Sequence, residues 1–440
     1  MLAQPLQNVR ILDVCAYLAG PFAVTLLAHL GAEIVKVESI QRLDYLRLMG
    51  GYPQPDGYEW SPAFNAANLN KYGITLNLNH PRGIEIFKQL VALSDVVTEN
   101  FSPRVMDNWG LSYDQLKEIN PSIIMLSMPG FGRTGPWRNY VTFGPNVEML
   151  AGIPTISGYP DGPPLMNGYT ADPFASMAGA TAVMVALQYR HRTAKGQHID
   201  MSQIEATTSF MGEYIIGYSI NRKLRPRKGN RHSYMAPQGV YPCKGEDEWV
   251  AITVSSEEKW LSFCGALGNP SWTREARFSN AQSRQDNHDE LDSLIELWTS
   301  QRDKYEATRI LQEAHIAAAP VLNCSELVVD PHMQQRGFFK EITHPATGIH
   351  RYPGFPVRFS ETPLKTPGPA PTLGQHNEYV FKTLLKMTDK EIDKLTEEQI
   401  IGVKPQGWPY SEEPEQQDDS GTKLFIADGG AGITKAVSEK

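Results

Sequence analysis

The chain has 440 residues, of which 41% are hydrophobic and 20% are charged, a composition typical of a globular protein with two or three domains. Its 41 Lys and Arg and 49 Asp and Glu give a net charge of −8, which argues against a general nucleic-acid binder. No segment reaches the roughly 18 consecutive apolar residues of a membrane span. The four cysteines form no C-x-x-C pair and the N-terminus shows no secretory signal, so we expect a cytoplasmic protein.

The first 130 residues alternate between short apolar strands and helices. The pattern predicts strands at 10–14, 33–37, 95–98 and 122–127, and helices at 21–30, 83–93 and 113–119. Such alternation is typical of an α/β fold with a parallel sheet covered by helices on both faces. Ligands of these sheets bind at the carboxyl ends of the strands.

A long segment rich in Ala, Val and Met follows at 173–190. It is apolar on nearly all sides, so we predict a buried helix there, and a further strand at 198–201. Pro173 suits the first helical position, which makes Asp172 the expected N-cap. One interpretation of Asp172 is a capping residue and no more. The other is a carboxylate that the helix N-terminus keeps ionised, which can attack an activated acyl group.

The second half of the chain changes character. The sequence GVYPCKGEDEWVAITVS at 239–255 predicts a β-hairpin, a Pro-rich stretch spans 362–376, and 378–394 has a helical pattern. We therefore predict a large domain that begins with 1–224, a smaller α+β domain at 225–330, a return to the large domain at 331–408, and a polar tail at 409–440.

Residues 130–135 match the dinucleotide-binding pattern G-x-G-x-x-G after a predicted strand. Pro136 and Trp137 follow at once, so no helix opens on the last glycine and the pattern lacks the context that gives it meaning. We interpret the segment as a glycine-rich loop that lets a ligand approach the backbone.

Basic and aromatic side chains gather near the predicted strand ends. Each basic residue is either a solvated surface charge or part of a site for an anionic cofactor, and each ring is either a core residue or a ligand platform. The residues are Lys36, Lys71, Arg104, Arg133 and Arg138, with Trp109, Trp137 and Tyr140.

Short motifs in a fixed order give the chain a family resemblance. They include AGP at 19–21, LGAEIVKVE at 30–38, NK at 70–71, ENF at 99–101, GFG at 130–132, DGPP at 161–164 and PTLGQH at 371–376. In these motifs the chain resembles the class III CoA-transferases, such as the formyl-CoA and carnitine CoA-transferases. The resemblance implies a Rossmann-like large domain built from both ends of the chain, with the small domain between them. It also implies two chains interlocked as a dimer.

The implied reaction moves CoA from an acyl-CoA thioester to a free carboxylic acid, with no metal and no tightly bound cofactor. Asp172 falls at the position of the family nucleophile. The resemblance implies that it passes through a mixed anhydride, an aspartyl-CoA thioester and a second anhydride. The residues implied to contact CoA are Tyr17, Leu18, Leu76, Asn100, Phe101, Ser102 and Arg104.

Departures from the family pattern leave the phosphate-binding residues open. Ser39 and Asn108 stand where some members have Arg, and Tyr72-Gly73 replaces a common Arg-Ser. A glycine-rich shielding loop is not evident near 237–240, so we do not expect oxalate as the acceptor. The composition favours a larger or more apolar acid, for example an aromatic dicarboxylate, with succinyl-CoA as a candidate donor.

The sequence leaves two alternatives open. An α-methylacyl-CoA racemase would need a second acid–base group, yet the aligned stretch at 142–146 has no His and holds Phe143 and Gly144 instead. The chain could also be the CoA-binding subunit of a heteromeric enzyme, paired with a related second chain. We otherwise expect a homodimer, with neither nucleic acid nor membrane as a partner.

Overall fold

The computed structural model describes residues 4–50, 52–168 and 170–410, and within them a six-stranded sheet forms the centre of the larger compact unit. Its strands lie in the order β3-β2-β1-β4-β5-β6, and every neighbouring pair is parallel. The predicted α/β class and parallel sheet are confirmed. The strands are β1 (Arg10–Asp13), β2 (Glu33–Glu38), β3 (Tyr72–Thr75), β4 (Val96–Glu99), β5 (Ile124–Ser127) and β6 (His198–Asp200).

Helices connect these strands and cover the sheet. They are α1 (Ala19–His29), α2 (Pro62–Ala67), α3 (Pro81–Ala92), α4 (Arg104–Asn108), α5 (Tyr113–Ile119), α6 (Gly144–Leu150), α7 (Ala171–Thr193) and α8 (Gln203–Thr208).

Successive strand residues point into two separate cores, as the two-residue period of a strand requires. Leu12 and Val35 join one core with residues of α3, whereas Ile11 and Ile34 join the other with residues of α1 and α7. The sheet is therefore buried on both faces.

The strand order places a topological switch point between β1 and β4. The chain runs outward from β1 through β2 to β3, and then returns to β4 on the other side of β1. Loops that leave two such neighbouring strands diverge, and the crevice between them is the usual ligand site of an open parallel sheet.

Helix α7 is not buried all round, so that prediction is wrong. Ala175, Gly179 and Val183 are buried, while Val185 and Tyr189 on the other side are exposed. The described residues of this chain cover the sides of α7 that pack on α1, α8, α6 and β5.

Residues 152–166 and 211–336 form a second compact unit. Its antiparallel sheet has the order β7-β8-β9, and the pairing of β7 with β8 confirms the predicted hairpin. Its own core includes Trp260, Phe263 and Phe278. The elements are α9 (Gly212–Asn221), β7 (Gln238–Pro242), β8 (Trp249–Thr253), α10 (Glu257–Ala266), α11 (Ala281–Asp286), α12 (His288–Thr299), α13 (Lys304–Glu313), β9 (Ala317–Pro320), α14 (Cys324–Val329) and α15 (Pro331–Gln335).

From Gly337 the described chain belongs again to the first unit. It forms a hairpin of β10 (Phe339–His344) and β11 (Gly348–Pro353), a π-helical segment at Tyr379–Leu384, and α16 (Asp389–Glu397). The predicted helix at 378–394 is thus interrupted before Asp389. Asn377 fixes this return to the sheet, because its Oδ1 accepts the N–H of Thr75 in β3 at 2.9 Å.

The domain boundaries at 224 and 330 stay a prediction, because compactness within one chain does not show which segment folds alone. The polar tail predicted at 409–440 lies outside the described residues from position 411 onward. No helix among the described residues has the length and apolarity that crossing a membrane requires.

Candidate active site

Asn100 joins the loops that follow β1 and β4 at the switch point. Its Oδ1 accepts the N–H of Ala16 at 2.9 Å, and its Nδ2 donates to the carbonyl oxygen of Ala16 at 2.7 Å. Gly20 permits this close approach, since a Cβ there would lie 2.6 Å from Sγ of Cys15 and 3.1 Å from Cγ of Asn100. The loop after β1 is therefore fixed against the end of β4.

Asp172 is the second residue of α7 and not its N-cap, so the predicted capping role is wrong. The helix begins at Ala171, and Thr170 occupies the N-cap position. Pro173 fits this arrangement because the N–H groups of the first helical turn have no partner within the helix, so their loss costs little. Oγ of Ser176 lies 2.7 Å from the carbonyl oxygens of both Asp172 and Ala19, which places the start of α7 against the start of α1.

The carboxylate of Asp172 lies against the backbone of Gly144, the first residue of α6. A Cβ built on Gly144 would be 2.7 Å from Oδ2 and 3.0 Å from Oδ1 of Asp172. Burial raises the pKa of Asp172 to about 6. Such a carboxyl is still ionised in about nine molecules of ten at neutral pH. Within the described chain it accepts no hydrogen bond and joins no ion pair, so its oxygens are available to react.

Glu148 of α6 holds the segment that leads to Asp172. Its side chain is fully buried, and its two oxygens accept the N–H groups of Asn167 at 3.0 Å and Gly168 at 3.2 Å. Helix α6 thus supplies both the glycine beneath the carboxylate and the anchor of the preceding loop. Sequence reasoning missed Glu148, because a lone Glu in a short amphipathic segment resembles a solvated charge.

Six of the seven predicted CoA-contacting residues lie at the switch point. Tyr17 and Leu18 follow β1, whereas Asn100, Phe101, Ser102 and Arg104 follow β4. Leu76 stands apart: it follows β3 and its side chain is 1% exposed in the core, so only its backbone could reach a ligand. Contact of all seven residues with CoA stays a prediction.

The local structure of these residues differs from one to the next. Tyr17 has a φ of 63°, and its N–H donates to Oδ1 of Asp44 at 3.1 Å. The N–H of Phe101 donates to Oε2 of Glu99 at 2.8 Å, and the ring of Phe101 packs edge-on against Trp109. Arg104 is exposed at the start of α4.

Lys36 and Lys71 are neither solvated nor free for phosphate, so both interpretations of them were wrong. Both side chains are fully buried, with Lys36 Nζ 3.0 Å from Oδ2 of Asp44 and Lys71 Nζ 2.9 Å from Oδ2 of Asp13. These buried ion pairs join β2 to the loop that follows it, and the end of β1 to the residue before β3. Of the predicted basic residues, Arg104 and Arg138 remain exposed.

The glycine-rich loop that follows β5 has no dinucleotide-binding geometry. Gly132 and Gly135 have φ values of 79° and 86°, and the next helix begins only at Gly144. Arg133 ties this loop to α4, because its Nη2 lies 2.9 Å from Oδ1 of Asp107 and its Nη1 donates to the carbonyl oxygen of Pro103.

The core interpretation of Trp137 and Tyr140 is wrong. The two side chains are 47% and 59% exposed and stack on each other with ring centroids 5.9 Å apart. They lie in the loop between Gly135 and α6, where the described residues build no covering layer. Trp109 is half-buried and donates its indole N–H to Oδ1 of Asn79 at 2.9 Å.

The sequence of this chain is similar to a known protein family and to several characterised enzymes. The model of the CoA-transferase family III matches residues 6–377. The chain is 33% identical over 399 residues to the succinyl-CoA–D-citramalate CoA-transferase of Chloroflexus aurantiacus, covering 90% of this chain and 98% of that protein. It is 32% identical to the beta subunit of the succinyl-CoA–L-malate CoA-transferase from the same organism, with the same coverage.

A solved structure gives the same result for the fold. The crystal structure of a CAIB/BAIF family protein from Brucella suis matches with a TM-score of 0.79 and 30% identity, covering 87% of this chain and 99% of that chain.

Proposed function

The chain belongs to the CoA-transferase family III and is a CoA-transferase, and we propose that Asp172 carries the CoA group between the donor and the acceptor. The observation that carries this proposal is the state of the Asp172 carboxylate. It is largely buried beside Gly144, without a hydrogen bond or ion pair from the described residues, and its pKa of about 6 leaves it ionised at neutral pH. An aspartate with a purely structural role and these properties would lower the stability of the fold without a compensating interaction.

In the first half of the proposed reaction, a carboxylate oxygen of Asp172 attacks the carbonyl carbon of the donor thioester. The carbon–sulfur bond breaks, CoA leaves as the thiolate, and a mixed anhydride remains. The thiolate then attacks Cγ of Asp172, forming the aspartyl-CoA thioester and releasing the donor acid as its carboxylate. Each step exchanges one activated acyl bond for another, so no energy source is needed.

In the second half, the acceptor carboxylate attacks the aspartyl thioester and expels CoA thiolate to give a second mixed anhydride. The thiolate attacks the acceptor carbonyl, which yields the product thioester and restores the Asp172 carboxylate. The first turn of α7 carries N–H groups that have no partner within the helix, and a helix N-terminus stabilises negative charge that develops nearby.

The racemase alternative finds no support at Gly144. This residue contacts the carboxylate and carries no side chain, whereas proton exchange at an α-carbon needs two acid–base groups on opposite sides of that carbon. We therefore retain CoA transfer as the proposed chemistry.

We further propose that the active molecule is a homodimer. Helix α9 carries Ile216 and Ile220, yet it has no buried residue among the described part of the chain. Exposed apolar faces of this kind mark protein interfaces, and the family resemblance implies an interlocked pair of chains. The relative named as a beta subunit supports the heteromeric alternative. Light scattering coupled to size-exclusion chromatography of the chain expressed alone, with an activity assay on each peak, decides between them.

We propose a reducing compartment, the cytoplasm, as its location. The support is that Cys15, Cys243, Cys264 and Cys324 are all free thiols, as expected of proteins that fold in a reducing environment.

Mass spectrometry tests the proposed chemistry directly. Purified protein is incubated with succinyl-CoA or acetyl-CoA and a panel of carboxylic acids, and new CoA thioesters are identified. We expect transfer by the native chain and none by Asp172→Asn. Full activity of that folded variant would remove Asp172 from the mechanism.

A further inference from the structure

Three aromatic rings from three separate segments pack together next to Gly144, the residue whose backbone lies against Asp172. Tyr17 lies in the loop after β1, Tyr45 begins the short helical segment Tyr45–Leu48, and Phe143 directly precedes Gly144. The ring of Tyr17 is central, because its centroid is 5.4 Å from that of Tyr45 and 5.3 Å from that of Phe143. We call Tyr17, Tyr45 and Phe143 the aromatic wall.

Asp44 holds two parts of the aromatic wall in place. Its Oδ1 accepts the N–H groups of Tyr17 and Leu46, both at 3.1 Å, while its Oδ2 accepts Nζ of the buried Lys36 at 3.0 Å. The buried carboxylate of Asp44 therefore holds both the loop that carries Tyr17 and the segment that carries Tyr45. Backbone segments that are fixed in this way reduce the entropy that is lost when a ligand binds to the rings they carry.

The aromatic wall is open to a ligand and adjoins the reacting carboxylate. Tyr45 is 40% exposed and Phe143 is 52% exposed. Phe143 is bonded to Gly144, whose backbone lies against Asp172. Burial is the cause of the raised pKa of Asp172, and no Lys or Arg of the described residues pairs with it. The carboxylate of Asp172 therefore has no cationic partner among the described residues.

We propose that the aromatic wall sets the acyl-group specificity, so that the site favours carboxylic acids bearing an aryl or other large apolar group over short dicarboxylates. This inference rests on the proposed function. An aryl group would pack against Tyr45 and Phe143, whereas the second carboxylate of a short diacid would lose water against the rings without gaining a charged partner. The substrate class would then differ from the diacids for which the relatives above are named.

The test compares phenylpropionate with glutarate as acceptors, with acetyl-CoA and succinyl-CoA as donors in separate arms. We expect kcat/KM for phenylpropionate to exceed that for glutarate by about tenfold or more. Phe143→Ala should reduce this ratio by about tenfold and leave the KM of the donor unchanged. Tyr140→Ala removes an exposed ring of the same loop that lies outside the aromatic wall, and should leave the ratio unchanged.

The possible outcomes distinguish the role of the aromatic wall in specificity from the proposed function of Asp172. Transfer that prefers glutarate would overturn this inference and leave the proposed function standing. An equal loss for both acids in Phe143→Ala, with a raised donor KM, would show that the ring contacts CoA and would overturn the inference as well. Loss of the dimer in that variant would assign the ring to an interface and reject the specificity role. Absence of transfer to any acid would overturn both claims.

Discussion

Gly144 leaves the space that the carboxylate of Asp172 occupies, because a Cβ at residue 144 would lie 2.7 Å from Oδ2 and 3.0 Å from Cγ. Because Gly144 has no side chain at the start of α6, the carboxylate of Asp172 near the start of α7 can lie against its backbone. Gly144 also joins Asp172 to the neighbouring Phe143 of the aromatic wall, and it has no side chain that could act as the second acid–base group of a racemase.

Gly144→Ala should therefore damage catalysis more than folding. The added methyl group displaces the carboxylate, and a misplacement of about 1 Å at a reacting atom can cost about a hundredfold in rate. Steady-state kinetics should show a fall in kcat of this order with a nearly unchanged Tm. Gly212→Ala is the matched control, because Gly212 is also the first residue of a helix and a Cβ there would meet nothing within 4 Å. Equal activity of the two variants would contradict the assigned contact.

Replacement of Asp172 by Asn should raise the stability of the protein at neutral pH. The folded-state pKa of Asp172 is raised to about 6, above the ordinary value of an unfolded chain, so the ionised side chain opposes folding at higher pH. The advantage of Asn should be full above about pH 6 and should vanish below about pH 4, where both states hold the proton.

Thermal unfolding at several pH values measures this effect. Asp114→Asn is the control, because Asp114 is likewise the second residue of a helix but is exposed, so that the difference between the two variants isolates the effect of burial. A Tm difference for Asp172→Asn that is the same at every pH would refute the shifted pKa.

The pH dependence of the reaction rate should also reflect the ionisation of Asp172. The proposed nucleophile must be ionised, so kcat/KM for the acyl-CoA donor should fall about tenfold per pH unit below about pH 6. An aspartate with its ordinary pKa would keep full activity down to about pH 5. A profile that stays flat between about pH 7 and about pH 5 would mean that Asp172 does not limit the reaction.

Glu148 should act as a positioning residue. Glu148→Ala leaves two backbone N–H groups, those of Asn167 and Gly168, without their acceptor, and each lost buried hydrogen bond costs about 1–3 kcal/mol. Glu148→Gln keeps one acceptor oxygen and should lose less. We expect kcat to be highest in the native enzyme, intermediate in Glu148→Gln and lowest in Glu148→Ala. The KM of the donor should change less. If both variants lose Tm yet keep the native kcat, the role of Glu148 is structural alone.

The parts of the structure that depend on short segments could be predicted from the sequence. Five of the six strands of the central sheet follow from local periodicity, whereas β3 was not predicted, and the motifs pointed to the right family. The ion pair of Lys71 could not be predicted, because its partner Asp13 is 58 residues away in the sequence. A lysine in a loop motif has no local feature that distinguishes burial from solvation.

The candidate site was only partly predictable for the same reason. Tyr17 and Asp172 were identified from motifs, but Tyr45, Asp44 and Glu148 act through neighbours that only the fold brings together. The burial of α7 was overestimated because an apolar helix surface does not reveal whether the same chain or another one covers it.

A covalent intermediate on Asp172 is the central claim, and rapid-quench mass spectrometry of the proteolysed enzyme tests it most directly. The protein is mixed with acyl-CoA alone, quenched in acid and digested, and the peptide containing Asp172 is analysed. We predict that this peptide carries a CoA thioester that hydroxylamine converts to a hydroxamate, and that Asp172→Asn carries none. An active enzyme whose Asp172 peptide is never modified during turnover would contradict the mechanism.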